Sequence, residues 1–190
     1  MNLFEKINYS IKEFDPERLK GRHHISYGNP PRPTISYYFI KDPEYFKTLC
    51  LHPICKIPAD YLFFSEITGE GLLKPHRDHN VSCCVNLYFE PNGSTTFFHQ
   101  EKENIGAFVY PGKATANIYD LHQVNTVGKF IAKKNDCYLL NVSEIHSVLS
   151  PNPGARRMLT WQWTNTPYEE VLKNTENNNN MAPRETAPIN

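Results

Sequence analysis

Leu72-Leu73-Lys74-Pro75-His76-Arg77-Asp78-His79-Asn80-Val81-Ser82-Cys83-Cys84-Val85-Asn86-Leu87-Tyr88-Phe89-Glu90-Pro91-Asn92-Gly93-Ser94-Thr95-Thr96-Phe97-Phe98-His99 carries both the fold and the chemistry of this chain. Two runs of strand length, 82–89 and 95–99, are rich in β-branched and aromatic residues and are parted by the turn residues Pro91-Asn92-Gly93. A third run, Leu72 to His76, precedes them. In an extended segment alternate side chains share a face, so His76 and Asp78 point one way and Arg77 the other. The stretch thus reads as a strand that delivers an imidazole and a carboxylate to one place.

The same rhythm continues on both sides, with strands predicted over 61–68, 107–110, 114–119, 137–142 and 156–163, and with Gly69, Gly71, Gly93, Gly106, Gly112 and Gly154 between them. Short strands at this spacing predict a mainly β sandwich or barrel, best matched by a double-stranded β-helix of jelly-roll or cupin-like winding. Ser36 to Ile40 reads as one more strand. Phe4, Ile7, Ile11 and Phe14 recur at helical spacing and predict a helix over 3–14. Asp42-Pro43-Glu44 supplies an N-cap, a first-turn proline and an early acid, opening a short helix through Cys50. These N-terminal helices are expected to pack outside the sandwich. Pro30, Pro31 and Pro33 make 23–34 an extended segment or loop, either a plain connector or a lid. Thr166-Pro167-Tyr168-Glu169 starts a capped helix. Residues 1–173 are expected to form one domain and 174–190, with Asn177 to Asn180, a disordered tail.

A second histidine follows in Glu144-Ile145-His146, and Arg156 comes ten residues later. One carboxylate and two imidazoles from separated strands suit a borderline divalent ion and leave about three octahedral positions open, as a ferrous ion engaged in oxygen chemistry requires. A structural zinc site would close its shell instead. His122 is the rival to His146, but no basic residue follows it at a similar remove on a strong strand. His99-Gln100-Glu101 repeats the alternation, yet runs into Lys102-Glu103-Asn104, which reads as a solvated turn. His23, His24, His52 and His79 read as non-ligands, with His79 placed to line a pocket.

The ordered set of Lys74–Asp78, the strand Cys83–Phe89, the Glu90–Gly93 turn, Ser94–Phe98, Asp136–Asn141, His146 and Arg156–Trp163 resembles the iron(II)- and 2-oxoglutarate-dependent dioxygenases, particularly their prolyl-hydroxylase-like branch, over about residues 61–163. The resemblance implies Fe(2+) held by His76, Asp78 and His146, 2-oxoglutarate as co-substrate, O2, and ascorbate as a stimulant. It implies that Arg156 grips the distal carboxylate of 2-oxoglutarate, with Tyr88, Asn86 and Thr160 as hydrogen-bond partners. The reaction implied is hydroxylation of an unactivated carbon in a prolyl, peptidyl or free amino-acid substrate, with release of succinate and CO2. Arg156 and Arg157 must face opposite sides of one strand. If Arg156 faces in, Met158, Thr160 and Gln162 follow it, while Leu159, Trp161 and Trp163 pack outside. Two alternatives stay open: a cupin-like metal-dependent enzyme that does not use 2-oxoglutarate, and a non-catalytic β-sandwich binding module.

Composition sets outer bounds. With 39% hydrophobic residues in 190, the chain can bury one sizeable core. Twenty basic and 20 acidic residues leave no surplus to neutralise a phosphate backbone, so a small-molecule or peptide substrate is expected rather than a nucleic acid. Five cysteines without a Cys-x-x-Cys pair suggest reduced thiols and a cytoplasmic location. Charges interrupt residues 1–14, so no signal peptide is read there, and no stretch reaches the ~18 apolar residues of a membrane span. Oligomeric state is not legible.

Overall fold

Alternate residues of the strands serve two different cores, and this organises the molecule. The computed structural model describes residues 2–9, 11, 14–15, 24–27, 33–39, 44–45, 49, 55–102 and 116–179. Its strands are β1 (Phe4–Ile7), β2 (His24–Tyr27), β3 (Thr34–Phe39), β4 (Tyr61–Thr68), β5 (Gly71–Asp78), β6 (Cys83–Glu90), β7 (Thr95–Glu101), β8 (Ala116–Ile118), β9 (Val124–Ile131), β10 (Cys137–Leu140), β11 (Ile145–Ser150) and β12 (Arg156–Trp163), followed by helix α1 (Tyr168–Asn179). They form a seven-stranded sheet, β1-β10-β6-β12-β4-β3-β2, and a five-stranded sheet, β8-β5-β11-β7-β9. All pairings are antiparallel. From β4 to β7, and again from β9 to β12, consecutive strands alternate between the sheets, which is jelly-roll winding. At Asn92 and Gly93 the backbone has φ of 53° and 66°, the pair of positive angles a tight Asn-Gly turn demands, and this turn passes the chain from one sheet to the other.

The larger core lies on the outer face of the seven-stranded sheet. Leu62 and Phe64 of β4, Cys83, Val85 and Leu87 of β6, Cys137 and Leu139 of β10, and Leu159, Trp161 and Trp163 of β12 form it. Tyr168, Val171 and Leu172 of α1 cover it, together with Ile7, Tyr45 and Leu49. Both indole N–H groups are satisfied there: Trp161 donates to the Leu49 carbonyl at 3.0 Å and Trp163 to the Ile57 carbonyl at 3.3 Å. The second core fills one part of the space between the sheets, with Phe98 and Phe130 facing Tyr88, Tyr138, Leu140 and Met158.

One expected helix is a strand. Residues 4–7 pair with β10 in the register Phe4↔Leu140 to Ile7↔Cys137. In a strand, residues three apart face opposite sides. Phe4 accordingly enters the inter-sheet space, its ring 4.9 Å from that of Phe130, whereas Ile7 joins the outer core. The helix expected over 3–14 is therefore not formed, because β10 needs an edge partner and each of its two faces offers an apolar slot. Of the helix expected from Asp42 through Cys50, Glu44, Tyr45 and Leu49 are described: Glu44 and Tyr45 are helical, and the Leu49 N–H donates to the Tyr45 carbonyl at 3.3 Å in a turn; the strand expected over 107–110 lies outside the described residues. Strand β9 was not expected, nor was β2 within the proline-rich segment; β11 is the strand on which His146 was expected, with its bounds not read from the sequence. Helix α1 runs to Asn179, into the segment 174–190 expected as a disordered tail, and the rest of that segment, 180–190, lies outside the described residues.

The outer core implies a direct test. Trp161→Ala should destabilise the fold by about 3–5 kcal/mol, as for a large aromatic truncated in a packed core. Arg157→Ala, which removes only half-exposed ion pairs, should cost about 1 kcal/mol or less. Urea unfolding monitored by circular dichroism checks both, and equal losses would contradict this placement of the core.

Candidate metal centre

His76 and His146 are directly opposed across the β5–β11 ladder, and their rings lie 4.3 Å apart. Asp78, two residues along β5, shares their face, with its Oδ1 3.6 Å from His76 Nε2. One ligand atom from each of the three residues lies within 4.8 Å of the others. Arg77 points the opposite way, its guanidinium carbon 5.9 Å from the centre of the Tyr119 ring.

This face exists because β5 is bulged. His146 pairs with His76 but Val148 pairs with Leu73, so β5 carries one extra residue between the two positions. Leu73, His76 and Asp78 can then all line one cavity. Pro75 sits in the irregular part, where a residue without an N–H is tolerated.

Each histidine has a fixed tautomer. His76 Nδ1 lies 2.8 Å from the Lys74 carbonyl and His146 Nδ1 3.0 Å from the Glu144 carbonyl. A carbonyl only accepts, so both Nδ1 atoms carry the proton and both Nε2 lone pairs are free. Burial, reinforced by the neighbouring His76, pushes the His146 imidazole down to about 4, which keeps it in the neutral form that binds metal. Two neutral imidazoles and one carboxylate on one side of a cavity fit a divalent transition-metal ion that keeps open positions.

Arg156 lies on the wall of the same cavity. It is 3% exposed, and its Nη2 donates to the Tyr88 hydroxyl at 2.9 Å and to Thr96 Oγ1 at 3.1 Å. Among the described residues its Nε and Nη1 are buried with no hydrogen-bond partner. Among the described residues no carboxylate pairs with it. Burial raises the Tyr88 phenol above its ordinary value even beside the guanidinium, so the neighbouring oxygen is a neutral hydroxyl. Arg157 faces the other side and pairs with Glu66 at 2.6 Å and Glu90 at 2.8 Å. From Arg156 a polar chain runs along the wall: Asn86 Nδ2 donates to the Tyr88 hydroxyl at 3.5 Å, Thr160 Oγ1 donates to Asn86 Oδ1 at 2.8 Å, and Ser65 Oγ lies 3.4 Å from Thr160 Oγ1.

The structure thus brings together His76, Asp78, His146, Arg156, Asn86 and Thr160 around one cavity, with Tyr88 behind Arg156. Thr96 and Ser65 were not singled out from sequence. Their one signal was a hydroxyl on the inward phase of an otherwise apolar strand. His99 is buried on the far face of β7, its Nε2 2.7 Å from Ser147 Oγ and its Nδ1 3.3 Å from Thr126 Oγ1, and it does not line the cavity. His122 stands in the exposed turn of Leu121–Gln123, and His79 is exposed in the turn after β5. Contrary to expectation, His79 is not among the cavity-lining residues.

No family model matches the chain, and no curated protein matches it in sequence. Among solved structures, it is similar to the non-heme alpha ketoglutarate dependent epimerase SnoN from nogalamycin biosynthesis, with 14% identity and a TM-score of 0.46 over 92% of this chain and 80% of that one. HygX from Streptomyces hygroscopicus, with nickel and 2-oxoglutarate bound, is 11% identical with a TM-score of 0.44 over 77% of this chain and 74% of that one. A vicilin from Corylus avellana is 11% identical with a TM-score of 0.40 over 77% of this chain and 32% of that one. Names this diverse leave function to be argued from the site itself.

Substituting His76, Asp78 or His146 by alanine should abolish stoichiometric binding of a divalent transition metal, while His99→Ala and His122→Ala should retain it. Calorimetric titration with Ni(II) reads this directly, and undiminished binding by Asp78→Ala would remove Asp78 from the ligand set. The apoprotein should also weaken on acidification. In the unfolded chain His146 takes up its proton below about pH 6.5, but in the folded chain only near 4. Stability is therefore lost as pH falls through that window, reaching roughly 3 kcal/mol at its acid end. Denaturant unfolding of metal-free protein between pH 7 and 4 measures the slope, which His146→Gln should flatten.

Proposed function

We propose that the protein is an iron(II)- and 2-oxoglutarate-dependent oxygenase that hydroxylates an unactivated carbon. The observation that carries this reading is the buried Arg156 guanidinium, whose Nε and Nη1 have no partner, on the wall of the cavity that also presents His76, Asp78 and His146. A buried, unpaired cation is costly, and a planar guanidinium is matched by a carboxylate in fork geometry. A dicarboxylate with one end at Arg156 and the other among the triad satisfies both halves of the site.

Bound iron would supply oxidation by O2, coupled to conversion of 2-oxoglutarate to succinate and CO2. The chain's own residues bind and orient. Tyr88 and Thr96 hold the Arg156 guanidinium in place through Nη2, leaving the Nε–H and the two Nη1 N–H groups as donors. Thr160 and Asn86 are locked to each other and present hydrogen-bonding groups along the co-substrate's path. Leu140, Val142, Val148 and Met158 exclude water around it. The resemblance to prolyl hydroxylases supports a prolyl or other amino-acid group, in a peptide or small molecule, as the substrate, and ascorbate as a stimulant that keeps the iron ferrous.

Purified protein supplied with Fe(II), ascorbate and 2-oxoglutarate should release succinate slowly even without its prime substrate. Arg156→Ala should weaken anaerobic 2-oxoglutarate binding by about 2–5 kcal/mol, and Arg157→Ala should change it little. Equal affinity in wild type and Arg156→Ala would overturn the assignment of the co-substrate.

A further inference from the structure

We infer that the group oxidised here is uncharged and mainly apolar, a ring or branched hydrocarbon segment held against Phe63 and Tyr37, with the Gln162 amide as its neutral polar contact. This rests on the oxygenase reading above and narrows its substrate class.

Along β12, Arg156, Met158, Thr160 and Gln162 follow one another on the inner face, so Arg156 and Gln162 mark opposite ends of the cavity floor. The Gln162 end is the metal end: the carbonyl of Trp163, the next residue of β12, accepts the Ser82 N–H at 2.9 Å, on the short connection that leads from Asp78 to β6. Beside it, on the β3–β4 flank, the rows Thr160↔Phe63↔Phe39 and Met158↔Ser65↔Tyr37 place three aromatic side chains on the same face. The Tyr37 and Phe63 rings meet edge to face, with centres 5.0 Å apart and planes at 88°, and Phe39 lies 5.9 Å from Phe63. Such a corner offers rigid apolar surface. The Gln162 amide has no hydrogen-bond partner among the described residues, and Gln162 lines the cavity.

Charge decides what can enter. Among the described lining residues, the basic and acidic side chains are His76, Asp78, His146 and Arg156. With the imidazoles bound as neutral ligands, the two charges of a ferrous ion and that of Arg156 are balanced by Asp78 and the two carboxylates of 2-oxoglutarate. The loaded cavity is then neutral, and these residues leave no counter-charge for a substrate. An ammonium or carboxylate brought to the aromatic corner would lose its hydration without gaining a partner. An amide-capped or hydrocarbon group loses nothing comparable.

The experiment uses protein loaded with Ni(II) and 2-oxoglutarate, an inert complex, titrated with matched probes by calorimetry and ligand-observed NMR. Cyclopentanecarboxamide is set against cyclopentanecarboxylate, and N-acetyl-proline methylamide against free proline. The neutral member of each pair should bind at least about tenfold more tightly than its charged counterpart. Preference for the methylamide over the carboxamide would indicate a peptide source, and the reverse a free small molecule. Phe63→Ala should weaken the neutral probes about tenfold without altering 2-oxoglutarate affinity, and Gln162→Lys, which retains the fold of a half-buried position, should shift preference toward the carboxylate. Equal or tighter binding of the charged probes, or binding of neither class by protein that has taken up 2-oxoglutarate, overturns the inference. Failure to take up 2-oxoglutarate overturns instead the reading beneath it.

Discussion

The Arg156 guanidinium, buried with no carboxylate beside it among the described residues, is the constraint to which the remainder of the structure answers. Because side chains alternate along β12, turning Arg156 inward obliges Leu159, Trp161 and Trp163 to face outward. Three large apolar residues on the outside of a sheet must be covered or the sheet would expose a broad apolar patch. Helix α1 and the N-terminal residues provide that cover. The main core of this protein therefore lies beside the sandwich, and the space between the sheets is released from bearing most of the stability.

That release explains how one fold can hold both a packed interior and a polar cavity. Phe4, Phe98, Phe130 and Tyr138 form a plug of mutually contacting rings at one part of the inter-sheet space, with Phe130 and Tyr138 stacked at 4.2 Å. Tyr88 joins the plug and the site: its ring packs among these aromatics and its hydroxyl accepts from Arg156. The guanidinium carbon lies 4.8 Å from the Tyr88 ring centre, so the same ring face also attracts the cation it helps to orient. β1 is thus more than an edge strand, since Phe4 closes the plug that holds Tyr88 in place.

Period-two alternation was the legible part of the sequence. It gave the strands flanking the site, the shared face of His76 and Asp78, and the outward packing of Trp161 and Trp163. What alternation could not show was any strand whose pattern is broken by its surroundings. β9 is an edge strand with Asn125, Thr126 and Val127 exposed, so it carries no apolar rhythm. β11 reads as mixed because its inward residue, His146, serves the metal site and its neighbour Ser147 serves His99. Phe4, Ile7, Ile11 and Phe14 mimic a helix because a strand and the segment after it drop apolar residues into two separate cores at similar intervals. Thr96 and Ser65 were missed for the opposite reason, since one hydroxyl in an apolar strand is an ordinary sight until a buried arginine is found beside it.

The bulge in β5 is a finer case of the same rule. Leu73 faces the cavity opposite Val148, and unbroken alternation from Leu73 would send Pro75 and Arg77 inward and His76 and Asp78 outward. One extra residue at Lys74-Pro75 reverses that phase. The apolar wall before the bulge and the ligand face after it then belong to one cavity, and Arg77 leaves it for the Tyr119 ring. The bulged residues also contribute directly, because the Lys74 carbonyl accepts from His76 Nδ1 and thereby sets which nitrogen faces the metal position. A proline in mid-strand, ordinarily a reason to doubt a strand assignment, is here the residue least harmed by the missing ladder bond. A single register step on β5 therefore decides whether this cavity presents a metal triad or an uncompensated second arginine.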